Sequence, residues 1–573
     1  MTSFKQSFSG KWWWLPVVLL LILINYVASV FHQRIDLTNE KRFTLSSHVK
    51  NMLSSIKDVV EVDVLLKGDL PAGFKKLSTS ADEMLGEFKE LSHNNIRYRF
   101  ITPDNQMDET NKTFADTLES MGIAPINLKV QIKTGEQSQY VYPEALVRYK
   151  DKMLPVILYP GTKILIDPSE LNNAEALMEY HFASAIEKIT QSSKPMIGYS
   201  MGNGEPTGVN VEDLVENVLI KDYTVKLLNI ASQPVIPDTF KLLLIVKPTI
   251  PFTMEEKIKI DQFIMRGGKV LWCIDKLNAE VDSLQIKNQV VAYDRNLNLD
   301  DILFKYGIRI NPDLVMDLQC DFLPLVANGK SQLELTPWNY YPIFSSRSNH
   351  IINKNLGLVA GKFVNSLDTV NSEQVRKTIL LTSSSNARSI SSPALISTQE
   401  IRTEPDGELF NKSNIPVAVL LEGKFTSLFK NRLSVSVLDS ISKQGYPFQS
   451  ANPEANKMIL VGDGDIVLNG VSKGSPIPMG MNPYTIGTQQ QYPFANRQFI
   501  QNCIEYLVNN SGLDESSAKA YTLRLLDKKR SDTERLLWQM INVLLPIGVI
   551  SLVAIIYLQY RKRKYQVTLE KKT

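Results

Sequence analysis

Two long segments of the chain contain no charged residue, and they constrain the fold more than any other feature. They cover residues 12–30 and 536–558. At 1.5 Å per helical residue, about 20 apolar residues cross the hydrocarbon core of a bilayer. Three tryptophans open the first segment, and Trp538 and Tyr557 lie near the ends of the second, as in the aromatic belts of membrane proteins. The sequence therefore predicts two transmembrane helices.

Each segment has one alternative interpretation. The first could be a cleavable signal peptide, although its apolar run is longer than the roughly 7–15 residues of a signal-peptide core. The second could be a buried core helix, but four consecutive bases at 561–564 follow it almost immediately. Residues 1–11 carry two lysines and no acid, and residues 559–573 carry six bases and one acid. We therefore predict that both tails are cytoplasmic, although the bases at 528–530 and Arg535 weigh against this orientation.

The remaining 31–535 form one large polar body, which this topology places in the periplasm. The chain has a formal charge of +3 and the two tails together carry +7, so the body carries −4. A mildly acidic body gives no support to nucleic-acid binding. Hydrophobic residues make up 43% of the chain, which predicts a folded body. The three cysteines form no CxxC pair and no disulfide framework, so the body must be stabilised by its own core.

Residues 31–190 follow a mixed α/β pattern. A β-branched run at 59–66, an amphipathic stretch at 74–91 and an alternating run at 96–101 predict strand, helix and strand. Further strands and a helix at 171–189 complete an order that suits a thioredoxin-like layer. An unrelated α/β sandwich fits the same order. The absence of CxxC excludes thioredoxin-type redox chemistry.

Residues 191–515 follow a second α/β pattern, which predicts a doubly wound sheet. Its strands are short, continuous apolar runs of the kind found in buried parallel sheets. These runs lie at 195–199, 241–246, 269–274, 378–382, 417–421 and 458–461. Helices are expected at 211–220, 254–265, 301–306 and 496–508. Residues 311–374, rich in Pro, Asn and Ser, are expected to be an insertion, and 516–535 a charged stalk helix that continues into the second span.

One loop stands out as a candidate ligand-binding site. Gly202, Asn203, Gly204 and Glu205 lie between a predicted strand and a predicted helix, where open α/β sheets bind ligands. The GxGxxxG spacing around them is not a dinucleotide fingerprint, and Glu205 would repel a pyrophosphate. A plain strand-to-helix turn is the alternative interpretation. A second acidic sequence, 463–465, resembles a carboxylate pair, but it lacks the rest of a calcium loop and is explained equally by a polar strand exit.

Other catalytic and cofactor motifs are missing from the sequence. It contains no GxxxxGK[ST], no HExxH and no GxSxG, and its five histidines have no metal-ligand spacing. Cys273 lies inside a predicted strand, where a nucleophile would need a sharp strand-to-helix elbow. We therefore expect no catalytic residues, no metal and no cofactor, and we predict a binding, scaffolding or coupling protein that is not an enzyme.

Seven phrases, in order along the chain, resemble one protein family. The first phrase is RIDLT followed by KRFTLS, within 34–46. The other six are GNGEP at 202–206, PWNYYP at 337–342, HIINKNL at 350–356, VAVLLEGKFTS at 417–427, VGDGDI at 461–466 and NRQFIQN at 496–502. Together they resemble the GldG family, the gliding-motility-associated ABC-transporter auxiliary proteins of Bacteroidota. The resemblance covers nearly the whole chain, both apolar segments included.

This resemblance implies an inner-membrane subunit with a periplasmic body. Such a subunit would assemble with a multi-span ABC permease and a cytoplasmic ATPase in a complex linked to gliding motility and secretion. The family's auxiliary domain is similar to class I glutamine-amidotransferase-like folds and to a domain of an intraflagellar transport protein, without catalytic residues. A competing hypothesis is an anchored periplasmic carbohydrate- or peptide-binding module that is independent of any transporter.

Overall fold

A computed structural model describes residues 14–30, 45–509 and 528–569, apart from internal gaps. The longest gaps fall within 103–124, 160–167, 282–288, 327–332 and 398–405. The predicted tail at 1–11 and residues 516–527 of the predicted stalk lie outside the described residues. The chain divides into two compact units, Met1–Ala520 and Tyr521–Thr573.

The first part of the larger unit is an α/β layer built on four strands. Its sheet has the order β2-β1-β5-β6, in which β1 pairs parallel with β2 and antiparallel with β5, and β5 pairs antiparallel with β6. A separate hairpin, β3-β4, precedes β5. The elements are α1 Trp14–Val30, α2 Ser47–Ser55, β1 Val60–Val64, α3 Ala72–Leu91, β2 Ile96–Phe100, β3 Ile126–Ile132, β4 Gly135–Val141, β5 Glu144–Tyr149, β6 Lys152–Ile157 and α4 Pro168–Thr190.

Helical periodicity explains how α3 covers this sheet. Leu77, Ala81, Leu85 and Phe88 are spaced three and four residues apart, so they lie on one face of the helix, and all four are buried. They pack into one core with the buried valines of β1. The expected strand-helix-strand order at the start of this layer is confirmed.

The second part is built on a seven-stranded sheet with the order β19-β22-β23-β10-β9-β7-β8. Strands β8, β7, β9, β10 and β23 are mutually parallel. The strands are β7 Met196–Met201, β8 Thr224–Asn229, β9 Phe240–Val246, β10 Lys269–Cys273, β19 Val375–Thr382, β22 Pro416–Gly423 and β23 Asn456–Val461. Alternate residues of β9 and β10 enter two separate cores, one on each face of the sheet. The fold is therefore mixed α/β, with buried strands at its centre.

The expected parallel direction is wrong for two of the six predicted strands. β22 pairs antiparallel with β23, and β19 pairs antiparallel with β22. A continuous apolar run reports burial on both faces of a sheet but carries no information on strand direction. β8, at the opposite edge, was not predicted, because four of its six residues are exposed and its sequence lacks a continuous apolar run.

Helices cover both faces of this sheet. A 3-10 turn at Gly208–Val211, a π-helical segment at Leu214–Leu219 and α5 Ile220–Asp222 follow β7. The remaining helices are α6 Met254–Met265, α7 Asp300–Tyr306, α8 Val435–Lys443 and α9 Asn496–Val508. The predicted bounds of α6 are confirmed because local signals define both ends. Thr253 and Glu256 form a reciprocal capping box, and Gly267 adopts φ +93° just after the helix.

The segments that connect strands of the main sheet along the chain form small β-sheets of their own. They contain β11 Leu277–Asn278, β12 Gln289–Asp294, β13 Ile308–Ile310, β14 Asp313–Asp317, β15 Cys320–Val326, β16 Leu333–Phe344, β17 Val359–Ala360, β18 Leu367–Thr369, β20 Ala387–Ser391 and β21 Ala394–Ser397, with a short hairpin of β24 Val471–Ser472 and β25 Ser475–Pro476 further along. The predicted insertion at 311–374 lies within the long segment that connects β10 to β19.

The smaller unit contains one long helix, α10 Lys528–Leu569. Within it, Leu537–Arg563 is long and apolar enough to cross a membrane, and a window of 18 residues in this range has a mean hydropathy of 2.5. No other helix of the described residues meets both criteria. Residues 528–535 of the predicted stalk are continuous with this helix. α1 covers most of the first uncharged segment but has only 17 residues, so the first span stays a prediction.

Candidate functional site

The carboxyl ends of the parallel strands form one edge of the main sheet. The chain runs outward from β7 to β8 and then returns to place β9 on the other side of β7. This reversal creates a topological switch point between β7 and β9, where open α/β sheets usually bind ligands. The loop that contains Gly202, Asn203, Gly204 and Glu205 follows β7 at this point.

Glu205 is held within its own loop. One carboxylate oxygen accepts a hydrogen bond from Ser200 Oγ at 2.6 Å, and the other accepts one from the backbone N–H of Asn203 at 2.7 Å. Gly202 and Gly204 adopt φ values of +118° and +78°, which favour glycine. A Cβ atom on Gly204 would lie 2.0 Å from Thr249 Oγ1. The loop is therefore a tight turn whose carboxylate is already satisfied.

The same loop fills the switch point. The backbone carbonyl of Asn203 accepts hydrogen bonds from the N–H groups of Thr249 and Ile250, at 2.8 and 2.9 Å, so the segment after β9 is joined to it. Asn203 is buried, and its Oδ1 has no hydrogen-bond partner among the described residues. The four predicted residues are thus brought together, while ligand binding by them stays a prediction.

A cluster of charged side chains occupies the neighbouring strand ends. Asp275 follows β10, and Asp463 and Asp465 follow β23. One oxygen from each of the three carboxylates lies within 4.8 Å of the others. Asp275 and Asp463 are fully or almost fully buried. The sequence indicated the pair at 463–465, but it did not indicate that Asp275 would join them.

The ammonium group of Lys247, directly after β9, lies among these carboxylates. Its Nζ is 2.8 Å from both oxygens of Asp465, 3.4 Å from Asp275 Oδ2 and 3.2 Å from Glu280 Oε2. The residue is buried and adopts φ +43°. A Cβ atom on Gly464 would lie 2.7 Å from Lys247 Cβ, so only glycine allows this close approach.

The pKa values of the three carboxyl groups shift in different directions. Burial raises the pKa of Asp463 well above its usual range, and the neighbouring Asp465 and Asp275 carboxylates raise it further. Burial also raises the pKa of Asp275, to about 6, although Lys247 opposes the shift. For Asp465, Lys247 and Lys362 outweigh burial and lower the pKa. The ammonium group thus supplies the positive charge that a cation would supply to such a cluster, and a metal ion would have to displace it.

The comparison with known proteins identifies the family of this body. Residues 194–503, more than half of the chain, match the family described as an ABC-type uncharacterized transport system, in its auxiliary domain. The chain belongs to this family. It is therefore an auxiliary protein of an ABC-type transport system. Residues 39–148 match a second family, described as a domain of unknown function (DUF7088).

Proteins similar to the chain include an uncharacterized protein and a solved structure. An uncharacterized protein of Borreliella burgdorferi is 22% identical over 435 residues, which cover 73% of this chain and 78% of that protein. A solved structure, the mmIFT52 N-terminal domain, aligns with a TM-score of 0.30 and 12% identity, over 55% of this chain and 98% of that one.

Cys273 lies at the same edge of the sheet of this transport-family domain. It is buried inside β10, and burial, followed by the nearby Asp463 and Asp275, raises the pKa of its thiol. A buried thiol with a raised pKa carries little thiolate, which is the nucleophilic form. Its position in a strand agrees with the sequence-based expectation.

A sequence signal for the Lys247 cluster does exist. Each of the three central strands is followed within two residues by a charged residue, namely Lys247 after β9, Asp275 after β10 and Asp463 after β23. Because the carboxyl ends of parallel strands meet at one edge, these charges had to lie close together. The signal depends on knowing that the three strands are adjacent, which the separate apolar runs did not establish.

Proposed function

We propose that this protein is a membrane-anchored, non-catalytic auxiliary subunit that couples an ABC permease and its ATPase to a periplasmic partner or substrate. The observation that carries the proposal is the long apolar helix α10 in a chain of the ABC-type transport family. A domain anchored by such a helix stays at the membrane surface, where a permease is within reach.

The proposed location is the bacterial inner membrane, with two spans and both termini in the cytoplasm. The bases at 561–564 support it, because cytoplasmic flanks of spans are enriched in Lys and Arg. The first span rests on the uncharged run at 12–30. In this topology the α/β body is periplasmic.

The absence of catalysis is proposed from the strand-end cluster. Active sites of open α/β folds lie at the carboxyl edge of the sheet. Here the Lys247 ammonium group is paired with Asp465 and Asp275, and the carboxylate of Glu205 is hydrogen-bonded to Ser200. The sheet would then be a doubly wound, glutamine-amidotransferase-like fold used as a scaffold. The strand order β2-β1-β5-β6 supports a thioredoxin-like layer for the first domain.

The link to gliding motility is proposed from the seven phrases that resemble the GldG family. In this proposal the complex contains a multi-span permease and a cytoplasmic ATPase, and the periplasmic body contacts the motility or secretion machinery. No nucleic acid is involved, because the body carries a net negative charge.

Co-purification tests the proposal. The tagged full chain is produced together with the permease and ATPase of the same host and purified in a mild detergent, and we expect both partners to elute with it. A control variant, Ile550→Arg with Leu552→Arg, places two charges in the middle of α10 and should lose both partners. If the permease and ATPase elute together while the chain elutes alone, the proposal is wrong.

A second candidate function is a free-standing periplasmic carbohydrate- or peptide-binding module. The buried Asn203 Oδ1 without a partner at the switch point favours it. It predicts that the full chain, produced without a permease, binds such a ligand, and that Asn203→Ala or Glu205→Gln weakens this binding. If both variants bind the ligand as tightly as the parent does, the loop does not have this function.

A further inference from the structure

We propose that a cavity beside α7 binds a small molecule that combines an oxyanion group with an apolar part. The cavity has a volume of about 600 Å³ and lies between α7, the segment 309–312 and the segment that follows β22. Ligand sites for small molecules have volumes of roughly 300–1,000 Å³. The cavity is lined by other residues than the Gly202–Glu205 loop, and its ligand goes beyond the anchoring role proposed above.

The acids of this cavity are paired with two buried lysines. Asp300 binds Lys276 Nζ at 2.7 and 2.8 Å, and Asp294 lies 3.2 Å from the same ammonium group. Asp301 binds Lys257 Nζ with both oxygens at 2.8 Å. Both lysines are buried, whereas the side chains of Asp300 and Asp301 are 64% and 45% exposed at the cavity. The two ammonium groups balance two of the three carboxylates and leave a net charge of −1, which further cations must outweigh before an anion can bind.

Three further cations line the cavity. Lys305, Arg309 and Arg432 are exposed, and none has an ion-pair partner within the part of the chain that the structure describes. They lie on α7, on β13 and in the segment after β22, so three separate elements direct positive charge to one cavity. Guanidinium groups bind carboxylate and phosphate oxygens through paired N–H donors. The excess of positive charge selects an anionic ligand.

An apolar wall adds a second preference. Phe304 is 55% exposed beside the cavity, and Ile310 and Leu428 form its buried lining. An exposed aromatic ring next to these three cations fits a ligand with an aromatic or aliphatic part next to its anionic group. Inorganic phosphate would satisfy the cations alone, whereas phenyl phosphate would also contact Phe304.

Calorimetric titration of the full chain in detergent tests this site with phenyl phosphate and inorganic phosphate as probes. We expect saturable binding of phenyl phosphate, at least five times tighter than binding of inorganic phosphate. Arg309→Gln and Arg432→Gln should each weaken phenyl phosphate binding about tenfold, because each removes one charge-assisted contact. Phe304→Ala should weaken binding of phenyl phosphate and leave inorganic phosphate unchanged.

Lys424→Gln is the matched control, since Lys424 is exposed in the same domain but does not line the cavity. It should bind phenyl phosphate as the parent does. All four variants change exposed residues, and thermal unfolding verifies that they are folded. The proposal is overturned by a lack of saturable binding, by an equal loss in Lys424→Gln, or by equal affinity for the two probes.

Discussion

Lys247 has a strained backbone and a buried charge. Its φ of +43° lies in the left-handed region, which costs a non-glycine residue on the order of 1 kcal/mol or more. Its backbone N–H donates to the carbonyl of Cys273 at 2.8 Å, which ties the strained residue to the adjacent strand. This conformation brings the ammonium group to Asp275 and Asp465. The buried carboxylates require a positive counter-charge, and their attraction to the ammonium group offsets the backbone strain.

Lys247→Met should therefore destabilise the protein strongly. The substitution leaves the carboxylates of Asp275 and Asp465 buried without their cation, which costs about 3–5 kcal/mol. Lys241→Met, at the exposed amino end of the same strand, is the matched control and should change the free energy of unfolding by less than about 0.5 kcal/mol. Urea unfolding of the full chain in detergent measures both. Equal effects of the two substitutions would contradict the role assigned to Lys247.

The same cluster predicts a change in cation response. Three carboxylates within 4.8 Å of one another could bind Ca²⁺ once the ammonium group is removed. We expect millimolar Ca²⁺ to raise the thermal unfolding temperature of Lys247→Ala and to leave that of the parent unchanged. An equal response of parent and variant would show that the ammonium group does not stand in for a cation.

Glu144 predicts a pH dependence in the first domain. Burial raises the pKa of its carboxyl group from 4.5 to about 8, and its Oε2 has no hydrogen-bond partner among the described residues. The unfolded chain releases this proton near pH 4.5, so the folded state binds more protons between pH 4.5 and 8 and becomes less stable as the pH rises.

Glu144→Gln should remove this dependence. The variant is expected to be more stable than the parent by about 4 kcal/mol at pH 8 and nearly equally stable near pH 4.5. Thermal unfolding at pH 4.5, 6 and 8 measures the difference. Glu61→Gln, at an exposed site on β1, should behave as the parent does at each pH. A constant difference between Glu144→Gln and the parent across this range would reject the linkage.

At the scale of elements, α4 of the first domain packs on the second domain through a small polar cluster. Glu505 on α9 accepts a hydrogen bond from Ser184 Oγ at 2.6 Å and lies 3.0 Å from Lys188 Nζ. Lys188 is also 3.4 Å from Asp222, at the end of α5. Burial favours the neutral form of Glu505, but Lys188 and Ser184 outweigh it and lower the pKa of this carboxyl group.

Glu505→Gln tests this contact between the two domains. It leaves Lys188 without its nearest carboxylate, so we expect the free energy of unfolding to fall by about 3 kcal/mol. Gln501→Ala, one turn earlier on the same helix, is the control and should have little effect. Hydrogen exchange should show that α4 and α9 lose protection together. Loss confined to α9 would mean that the pair does not hold the two domains together.

The sequence predicted the positions of helices and strands better than it predicted the direction and order of the strands in the sheet. The bounds of α6 followed from Thr253, Glu256 and the glycines at 267–268, since all of these signals are local. The antiparallel direction of β19 and β22 could not be predicted, because burial gives no direction. The cluster around Lys247 joins residues up to 218 positions apart, and only the order of strands in the sheet brings them together.

For the molecule as a whole, the decisive question is on which side of the membrane the body lies. Helix α10 contains the apolar stretch Leu537–Arg563, and bases at 561–564 end it. The excess of bases in both tails favours the cytoplasm for both ends, and two spans would then place the body in the periplasm. A single span would instead put the two ends on opposite sides of the membrane. The side on which each tail lies therefore distinguishes the two topologies.

Cysteine accessibility tests this topology in spheroplasts of cells that produce the chain. Cys273, Cys320 and Cys503 are first replaced by alanine, and Lys5→Cys, Lys424→Cys and Lys571→Cys are then introduced one at a time. We expect a membrane-impermeant maleimide to label Lys424→Cys in intact spheroplasts, and to label the two tail variants only after the membrane is permeabilised. Labelling of Lys5→Cys but not Lys571→Cys in intact spheroplasts would indicate one span, because the charge-based orientation would then hold only at the carboxyl end.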